Sequence, residues 1–392
     1  MRFSQRLSRL AANVFADMDR AKAKAVAAGQ DLIDLSLGSS DLPASPMAIA
    51  TMGQALQDPN THGYVLHRNT QEFREAIASW FEKRYGVAVD PETEVLALIG
   101  SQEGTAHLPL AVLEPGDYAL LPDPGYPSYV GGVALAGGES YFMPLTADHG
   151  FLPQFEAIPG EILAKSRLMI LSYPHNPTTA MATRKFFQEA VRFCQAHDLV
   201  LVHDFPYNDM YFSGSPEPPS VLQADPEKTC SIEFFTFSKS FNMGGFRVAF
   251  AVGNAQLIAA LRQIKAVVDF NQYQGILMGA IAALQQDQDT IHKNVAVYQA
   301  RRDALLEALN DLGWDVPKPG ATLYVWAKLP DTWRGTSLEF CTALVAQTGV
   351  ALSPGSGFGK TGEGYVRFAL VREPSVLKEA VHRLHTFLLS QP

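Results

Sequence analysis

Residues 234–250 read FFTFSKSFNMGGFRVAF, and this stretch indicates fold and chemistry more directly than any other part of the chain. Lys239 follows an apolar, strand-like segment, and Arg247 follows the pair Gly244 and Gly245. A lysine amine at the end of a strand can condense with an aldehyde. A guanidinium held nearby across glycines can bind a phosphate through two parallel hydrogen bonds, which lysine cannot do. The stretch therefore favours a site for a ligand that carries both a carbonyl and a phosphate.

Pyridoxal phosphate (PLP) is the cofactor that carries both groups. The segment predicts that Lys239 holds PLP, with Ser238 beside it and Arg247 at the phosphate. A more ordinary interpretation stays open for the segment alone. A lysine after a strand is usually a solvated terminal residue, and paired glycines usually form a turn. The choice depends on whether the rest of the chain supplies the other contacts that PLP needs.

Composition excludes several classes of function. With 47% hydrophobic and 18% charged residues, the composition is that of an ordinary globular protein. Its 392 residues are many for one core, which predicts one large and one smaller domain. A formal net charge of −9 argues against a nucleic-acid partner, which would need a basic face. No apolar run approaches the ~20 residues needed to cross a bilayer, so no membrane partner is expected.

The cysteines and the first residues bear on location. Cys194, Cys230 and Cys341 show neither CxxC spacing nor a paired framework, which fits a reducing cytoplasm. The basic start MRFSQRLSRLAANVF has the look of a transit peptide but lacks a hydrophobic core, and acidic residues enter at Asp17 and Asp19. We expect a structural helix or arm there.

Strand and helix patterns alternate through the middle of the chain. A helical pattern at 183–197 lies between continuous apolar runs, and this alternation predicts an α/β fold with a mostly parallel sheet covered by helices on both faces. Ligands bind such sheets at the carboxyl ends of the strands. A helical pattern at 257–309 is followed by an α+β tail. The predicted strands are 95–99, 118–121, 168–172, 199–203, 232–237, 247–252, 323–327 and 365–370.

Polar residues follow several of these strands. Asp204 ends the run LVLVHD, where a buried carboxylate needs a partner. A protonated pyridine nitrogen would be that partner and would keep the ring an electron sink. Tyr207 and Asn176, in SYPHNPTT, would hydrogen-bond the phenolate oxygen of the same ring. The alternatives are an N-capping Asp with a core Tyr, and an ordinary Asn-Pro turn.

A candidate phosphate loop lies between an early strand and a helix. It reads GSQEG at residues 100–104. Backbone amides at a helix N-terminus form an anion site, and Ser101 and Gln102 would sit there, opposite Arg247. Gly-Ser before a helix is also an ordinary cap.

Together these segments resemble the class I/II PLP-dependent aminotransferases, of fold type I and the aspartate aminotransferase superfamily. The order of phosphate loop, Asn-Pro, Asp-x-x-Tyr, Ser-Lys and Arg is similar, and the resemblance covers nearly the whole chain. Two positions depart from the family's pattern. Thr236 replaces a small Ser or Gly before the lysine, and Thr179 replaces the Gly of Asn-Pro-Thr-Gly.

The resemblance implies further site residues. Tyr126, in PDPGYPSY, takes the place of an aromatic ring over the pyridine face, where stacking contributes roughly 1 kcal/mol. Arg367, in GYVRFAL, resembles the family's binder of the substrate α-carboxylate, although a salt-bridged surface arginine is an alternative. Gly38 would let the backbone approach that carboxylate. Tyr64 matches a tyrosine that reaches the phosphate in the neighbouring subunit, which implies a homodimer with shared sites. Asn69 replaces the usual Gly nearby.

The implied domains are a large cofactor-binding domain at 45–290 and a small one formed by 1–44 with 291–392. The implied activity is transfer of an amino group between an α-amino acid and a 2-oxo acid in two half-reactions. Lys239 would hold the cofactor and then act as the base at the substrate Cα, with Asp204 and Tyr207 at the ring. The chain looks nearest to the aspartate and LL-diaminopimelate branches, so aspartate, glutamate or LL-diaminopimelate is the expected donor.

Two rival functions stay open. A PLP-dependent C–S β-lyase shares the ring, phosphate and lysine contacts, and its release of ammonia and pyruvate would distinguish it. A PLP-sensing transcription regulator would carry an N-terminal DNA-binding domain, and too few residues precede Gly38 in this acidic chain.

Two other patterns carry no function. GSGFGKTGEG, around Lys360, differs from a phosphate-binding P-loop because Pro354 stands where the first glycine is required. We expect a Gly-rich loop that enters the Arg367 strand. The histidines lack metal-ligand spacing, so no metal site is predicted and His203 is taken as structural.

Overall fold

A twisted seven-stranded sheet forms the centre of the computed structural model, which describes residues 1, 3–4, 6–10, 14–286 and 288–390. The strands are, in chain order, β1 Ile33–Asp34, β2 Val95–Leu98, β3 Tyr118–Asp123, β4 Glu139–Pro144, β5 Ser166–Leu171, β6 Val200–Asp204, β7 Ser231–Thr236, β8 Ala249–Gly253, β9 Tyr324–Lys328, β10 Val350–Ala351, β11 Ser353–Pro354 and β12 Tyr365–Ala369. The helices are α1 Arg6–Arg9, α2 Val14–Ala27, α3 Pro46–Ala55, α4 Gln71–Tyr85, α5 Ser101–Val112, α6 Ser128–Ala136, α7 Gly160–Leu163, α8 Arg184–Ala196, α9 Ala255–Val268, α10 Gln274–Gln285, α11 Gln288–Asp311, α12 Ser337–Thr348 and α13 Pro374–Leu389.

The order in the large sheet is β2-β8-β7-β6-β5-β3-β4. Strand β8 runs antiparallel to both its neighbours, and the other pairings are parallel. The predicted mostly parallel sheet is therefore confirmed. Two details differ from the prediction. Strand β4 was not predicted because, at the sheet edge, most of its residues stay partly exposed. The last predicted strand of this sheet starts at Ala249 because Arg247 has a left-handed φ of 54°.

Helices cover both faces of this sheet. In β5, Leu168 and Ile170 pack in one apolar cluster while Met169 and Leu171 pack in the other, and no side chain of the four is more than 1% exposed. This alternation explains why the strand reads as a continuous apolar run. Helix α8 begins where the Thr183 hydroxyl accepts a hydrogen bond from the backbone N–H of Phe186.

The first and last parts of the chain pack together. Strands β9, β12 and β11 form a small antiparallel sheet, and β1 pairs in parallel with β10, with Ile33 opposite Val350. Helix α1, Arg6–Arg9, lies within the first 15 residues, where a structural helix or arm is expected; residues 2, 5 and 11–13 of that stretch lie outside the described residues. The division into 45–290 and 1–44 with 291–392 stays a prediction.

The Gly-rich segment before β12 forms two short 3-10 turns, Gly355–Phe358 and Lys360–Gly362. It enters the strand that carries Arg367, as expected. Within the described ranges, no helix combines the length and the apolar character needed to cross a membrane.

Candidate active site

Lys239 lies just beyond the carboxyl end of β7. Its Nζ donates a hydrogen bond to the carbonyl oxygen of Gly38 at 2.5 Å and lies 5.8 Å from the centre of the Tyr207 ring. A side chain at position 38 would overlap the hydroxyl of Tyr324. The glycine therefore serves first to let the backbone pass beside Tyr324, and its carbonyl then meets the lysine amine.

Asp204, at the end of β6, is a buried carboxylate with one oxygen partnered. Its Oδ2 accepts a hydrogen bond from the Tyr129 hydroxyl at 2.7 Å, while Oδ1 is buried without a hydrogen-bond partner in the described part of the chain. Burial raises the pKa of Asp204 to about 6, against the Tyr129 hydrogen bond and the charges of His203 and Lys239. A buried acceptor without a partner is what a protonated ring nitrogen requires.

Tyr129 was missed in the sequence analysis. It belongs to the first turn of α6, in the segment where Tyr126 had drawn attention, and helix spacing alone does not indicate that it reaches β6. Tyr126 packs edge-on to Tyr129, with ring centres 5.7 Å apart, and its hydroxyl donates to Gln102 Oε1 at 3.4 Å. Tyr126 is 36% exposed, so part of its side chain stays open to solvent.

Arg367, on β12, is 6% exposed and is not a surface residue. Its Nη1 donates to Asn176 Oδ1 at 2.7 Å, and its Nη2 donates to the Ser36 carbonyl at 2.9 Å. Its guanidinium carbon lies 4.0 Å from the centre of the Tyr324 ring. Among the described residues its acceptors are oxygens of Asn176, Ser36 and Ser353, none of them a carboxylate, and its Nε has no hydrogen-bond partner. A buried guanidinium without a counter-ion fits a substrate carboxylate.

Tyr207 and Tyr324 link the lysine to the arginine. The Tyr207 hydroxyl donates to the Tyr324 hydroxyl at 3.1 Å. Burial and the neighbouring Tyr324 raise the pKa of Tyr207. Burial alone would raise the pKa of Tyr324, but the charges of Arg367 and Lys239 lower it below its ordinary value. Tyr324 was also missed in the sequence analysis, because it is an ordinary aromatic residue on a strand.

The loop at residues 100–104 and Arg247 lie against each other. Helix α5 begins at Ser101 without a side-chain cap, and the preceding Gly100 has a φ of +126°. The guanidinium of Arg247 packs on Gly100 so closely that a Cβ at Gly100 would overlap it, and its Nη1 donates to the Gly244 carbonyl at 3.0 Å. Uncapped N–H groups at a helix N-terminus beside a guanidinium fit a phosphate.

Two substituted positions have local explanations. The Thr236 hydroxyl donates to Ser238 Oγ at 2.9 Å and accepts from the Ser238 backbone N–H at 3.1 Å, which shapes the turn before Lys239. Thr179, in the loop after Asn176, adopts a φ of +63°, a left-handed conformation in which glycine is unstrained.

Tyr64 and His203 lie outside this cluster. Tyr64 is 84% exposed, and its ring lies 5.6 Å from that of Phe270. His203 is buried, with Nδ1 2.6 Å from Glu233 Oε1 and Nε2 3.0 Å from the Tyr173 carbonyl. The expected structural role of His203 is consistent with these contacts.

Comparisons with known proteins agree with this geometry. Residues 30–384 match the family model described as "Aminotransferase class I and II". The chain is 43% identical over 387 residues to an LL-diaminopimelate aminotransferase of Dehalococcoides mccartyi, covering 99% of each chain. It is also 43% identical over 389 residues to an enzyme of the same name from Moorella thermoacetica, again covering 99% of each.

Solved structures share the fold. A probable N-succinyldiaminopimelate aminotransferase from Thermus thermophilus superposes with a TM-score of 0.90 at 42% identity, over 95% of this chain and 100% of that one. An aspartate aminotransferase mutant from Thermus thermophilus has a TM-score of 0.90 at 24% identity, over 99% of this chain and 100% of that one, which shows the fold alone. The chain belongs to the class I and II aminotransferases and is a PLP-dependent transaminase that exchanges an amino group between an amino acid and a 2-oxo acid.

Proposed function

We propose that this transaminase takes LL-diaminopimelate as its amino donor. The observation that carries the proposal is the near full-length similarity to relatives of that name, at 42–43% identity. Aspartate and glutamate are the alternative donors. The C–S lyase is not favoured, because the relatives and structural neighbours described above are named as aminotransferases.

The substrate α-carboxylate is proposed to bind Arg367. The guanidinium is buried and held in place by Asn176 Oδ1, the Ser36 carbonyl and the Tyr324 ring. The Nε of Arg367 has no hydrogen-bond partner among the described residues, and neither Nη donates to a carboxylate there. Since Asn176 accepts through its oxygen, its side-chain NH₂ group stays available to donate to a ring oxygen of the cofactor.

The cofactor contacts are proposed as follows. PLP supplies an aldehyde that condenses with amines and a ring that accepts the electrons of the Cα–H bond. Ser101, Gln102 and Arg247 hold the phosphate, and Ser238 lies beside the attachment lysine. Asp204 holds a proton at the ring nitrogen through Oδ1, and Tyr126 covers one ring face. Asn176 donates to the ring oxygen, and Tyr207 would turn its single O–H from Tyr324 to that oxygen when the cofactor is bound.

Lys239 is proposed to move the proton at the substrate Cα. Its amine lies 5.8 Å from the centre of the Tyr207 ring and donates to the Gly38 carbonyl. With PLP bound, the lysine amine would take that proton and return it, and the cofactor would supply the ring that accepts the electrons.

A homodimer is proposed, with Tyr64 reaching the phosphate site of the partner. Four exposed side chains, Tyr64, Val267, Val268 and Phe270, are here called the apolar face; they are 84%, 84%, 54% and 54% exposed. Exposed apolar residues grouped in this way favour a protein partner. A cytoplasmic location is proposed because Cys194, Cys230 and Cys341 are all free thiols.

The donor is tested by absorbance of the PLP-loaded enzyme as single amino acids are added without an oxo acid. We expect LL-diaminopimelate to convert the cofactor to its amine form at lower concentration than glutamate or aspartate does. Lys239→Ala is the matched control, and we expect at least ~10⁴-fold slower conversion in it, since both base and attachment point are lost. Conversion by aspartate or glutamate alone would reject the proposed donor. Pyruvate and ammonia without the amine form would favour the lyase.

A further inference from the structure

Lys265, in the last turn of α9, is a buried lysine outside the site described above. It is 4% exposed. Its Nζ lies 2.8 Å from Glu103 Oε1 and 2.9 Å from Asp269 Oδ1. Buried ion pairs contribute little to stability compared with apolar packing, because both charges must be desolvated. Stability alone therefore does not explain why this ion pair is buried here.

Glu103 stands in the first turn of α5, directly after Ser101 and Gln102. Its Oε2 accepts a hydrogen bond from the backbone N–H of Ile99 at 2.6 Å, which fixes the approach to Gly100. This hydrogen bond, here called the tether, places a negative charge close to the proposed phosphate site. A carboxylate at this helix end occupies the same positive field that would hold a phosphate dianion, and repels that dianion.

The segment that contacts the backbone of Arg247 is also connected to Lys265. Asp269 follows α9 and leads into the segment that carries Gln272. The Nε2 of Gln272 donates to the Leu98 carbonyl at 3.1 Å and to the Arg247 carbonyl at 3.3 Å. Lys265 thus stands between the element that tethers Ile99 and the element that holds the backbone of Arg247.

We propose that Lys265 is a positioning residue of the phosphate site, which neutralises Glu103 so that this carboxylate can tether the loop without repelling the phosphate. The inference rests on the cofactor contacts proposed above and extends them to a residue that touches no cofactor. Burial raises the pKa of Glu103, and Lys265 opposes that rise. His107, whose Nδ1 lies 3.9 Å from Glu103 Oε1, is the other titratable neighbour.

The test compares PLP with pyridoxal, which lacks the phosphate, in titrations of the apo-protein followed by absorbance. In Lys265→Met we expect the Kd for PLP to rise by about tenfold to a hundredfold, because the buried carboxylate of Glu103 is left uncompensated at the helix end proposed to hold the dianion. The Kd for pyridoxal should stay within about twofold of the wild-type value, since that ligand brings no phosphate charge.

Two further variants separate charge from structure. Glu103→Gln combined with Lys265→Met keeps the tether to Ile99 through the amide oxygen and removes both charges, so PLP affinity should return to within about threefold of wild type. Lys228→Met is the matched control, because the Lys228 amine lies 3.1 Å from Glu94 Oε2. That pair is separate from α5. The control variant should leave both affinities unchanged.

Three results of these titrations would contradict the proposal. An unchanged PLP affinity in Lys265→Met would show that the lysine has no part in the phosphate site. Equal losses for PLP and pyridoxal would mean a purely structural role, and failure of the double variant to recover would mean that Lys265 does not act through Glu103. If wild-type protein formed no lysine adduct with either ligand, the Lys239 assignment itself would be wrong instead.

Discussion

Asp204 combines two properties that conflict in the absence of a ligand. It is 5% exposed, and one of its oxygens has no partner among the described residues. Its pKa is raised from an ordinary value of 3.8 to about 6, so near neutral pH it is ionised in a place that disfavours the charge. A protonated ring nitrogen would pair with this carboxylate and offset the cost of burying its charge. Such a shifted pKa is typical of residues that serve cofactor chemistry.

Replacement of Asp204 by Asn should therefore stabilise the apo-protein at pH 8 while slowing transamination. Because the folded-state pKa lies above the unfolded one, the wild-type free energy of unfolding falls as pH rises from about 4 to about 6, by roughly 2–3 kcal/mol. The variant should lack this loss, because an Asn side chain does not ionise. Its amide oxygen can still accept the Tyr129 hydrogen bond. Urea unfolding of both apo-proteins at pH 5 and pH 8 measures the difference.

Asp225→Asn is the control for that measurement. The Asp225 carboxylate accepts hydrogen bonds from the backbone N–H groups of Thr229, Cys230 and Ser231, and these lower its pKa despite partial burial. Its ionisation thus contributes stability above its unfolded-state pKa, so the Asn variant should be less stable at pH 8. An Asp204→Asn protein no more stable than wild type at pH 8 would contradict our account.

At the scale of elements, the N-terminus of α5 shows why glycine stands at position 100. The residue has a φ of +126°, which side chains rarely adopt, and the guanidinium of Arg247 occupies the space a Cβ would need. The helix end and the arginine therefore approach each other across a residue without a side chain. Both of the proposed phosphate contacts depend on that approach.

Gly100→Ala should weaken PLP binding by displacing Arg247 and straining the loop. We expect the Kd for PLP to rise about tenfold or more, and the free energy of unfolding to fall by about 1–3 kcal/mol. Gly131→Ala, inside α6, is the control because no atom lies within 4 Å of the added Cβ. That change should stabilise the protein by about 0.5–1 kcal/mol and leave the Kd unchanged. Equal PLP affinity in both variants would refute the role of Gly100.

For the whole molecule, the site of Arg367 depends on three distant parts of the chain. Ser36 comes from the N-terminal segment, Asn176 follows β5 of the large sheet, and Tyr324 lies on β9 of the small sheet. The packing of the first residues against the last ones is what brings Ser36 to the arginine. The proposed binding of the substrate carboxylate at Arg367 would thereby depend on the relative position of these parts.

The apolar face predicts association of two copies of the chain. Val267→Glu should shift the protein from dimer to monomer in sedimentation velocity, because burying an unpaired carboxylate in an interface costs about 2 kcal/mol or more per subunit. PLP affinity should fall with it if Tyr64 of the partner reaches the phosphate. Val26→Glu is the control, since Val26 is 53% exposed on α2, outside the apolar face. A dimer that persists in the Val267→Glu protein would argue against this face.

Local pattern predicted much of the molecule. Continuous apolar runs predicted the buried strands, and the polar residues that follow them predicted the cluster of Asp204, Asn176 and Lys239 at one sheet edge. Boundaries failed where a single backbone conformation decides them, as at Arg247. The edge strand β4 was missed because an edge strand lacks the apolar continuity on which the prediction depended.

The amino-acid sequence by itself determined the sheet class, the chemistry of the cofactor and the family. The first two rest on residue types within short segments, and the family rests on the order of those segments along the chain. Only the tertiary structure decided which ordinary residues complete the site. Tyr129 reaches Asp204, Tyr324 excludes a side chain at Gly38, and Lys265 meets Glu103, each across a long separation in the chain. A tyrosine on a helix or a lysine near a helix end has the same local pattern whether or not it touches a functional carboxylate. The order of strands and the packing of helices on them decide those contacts.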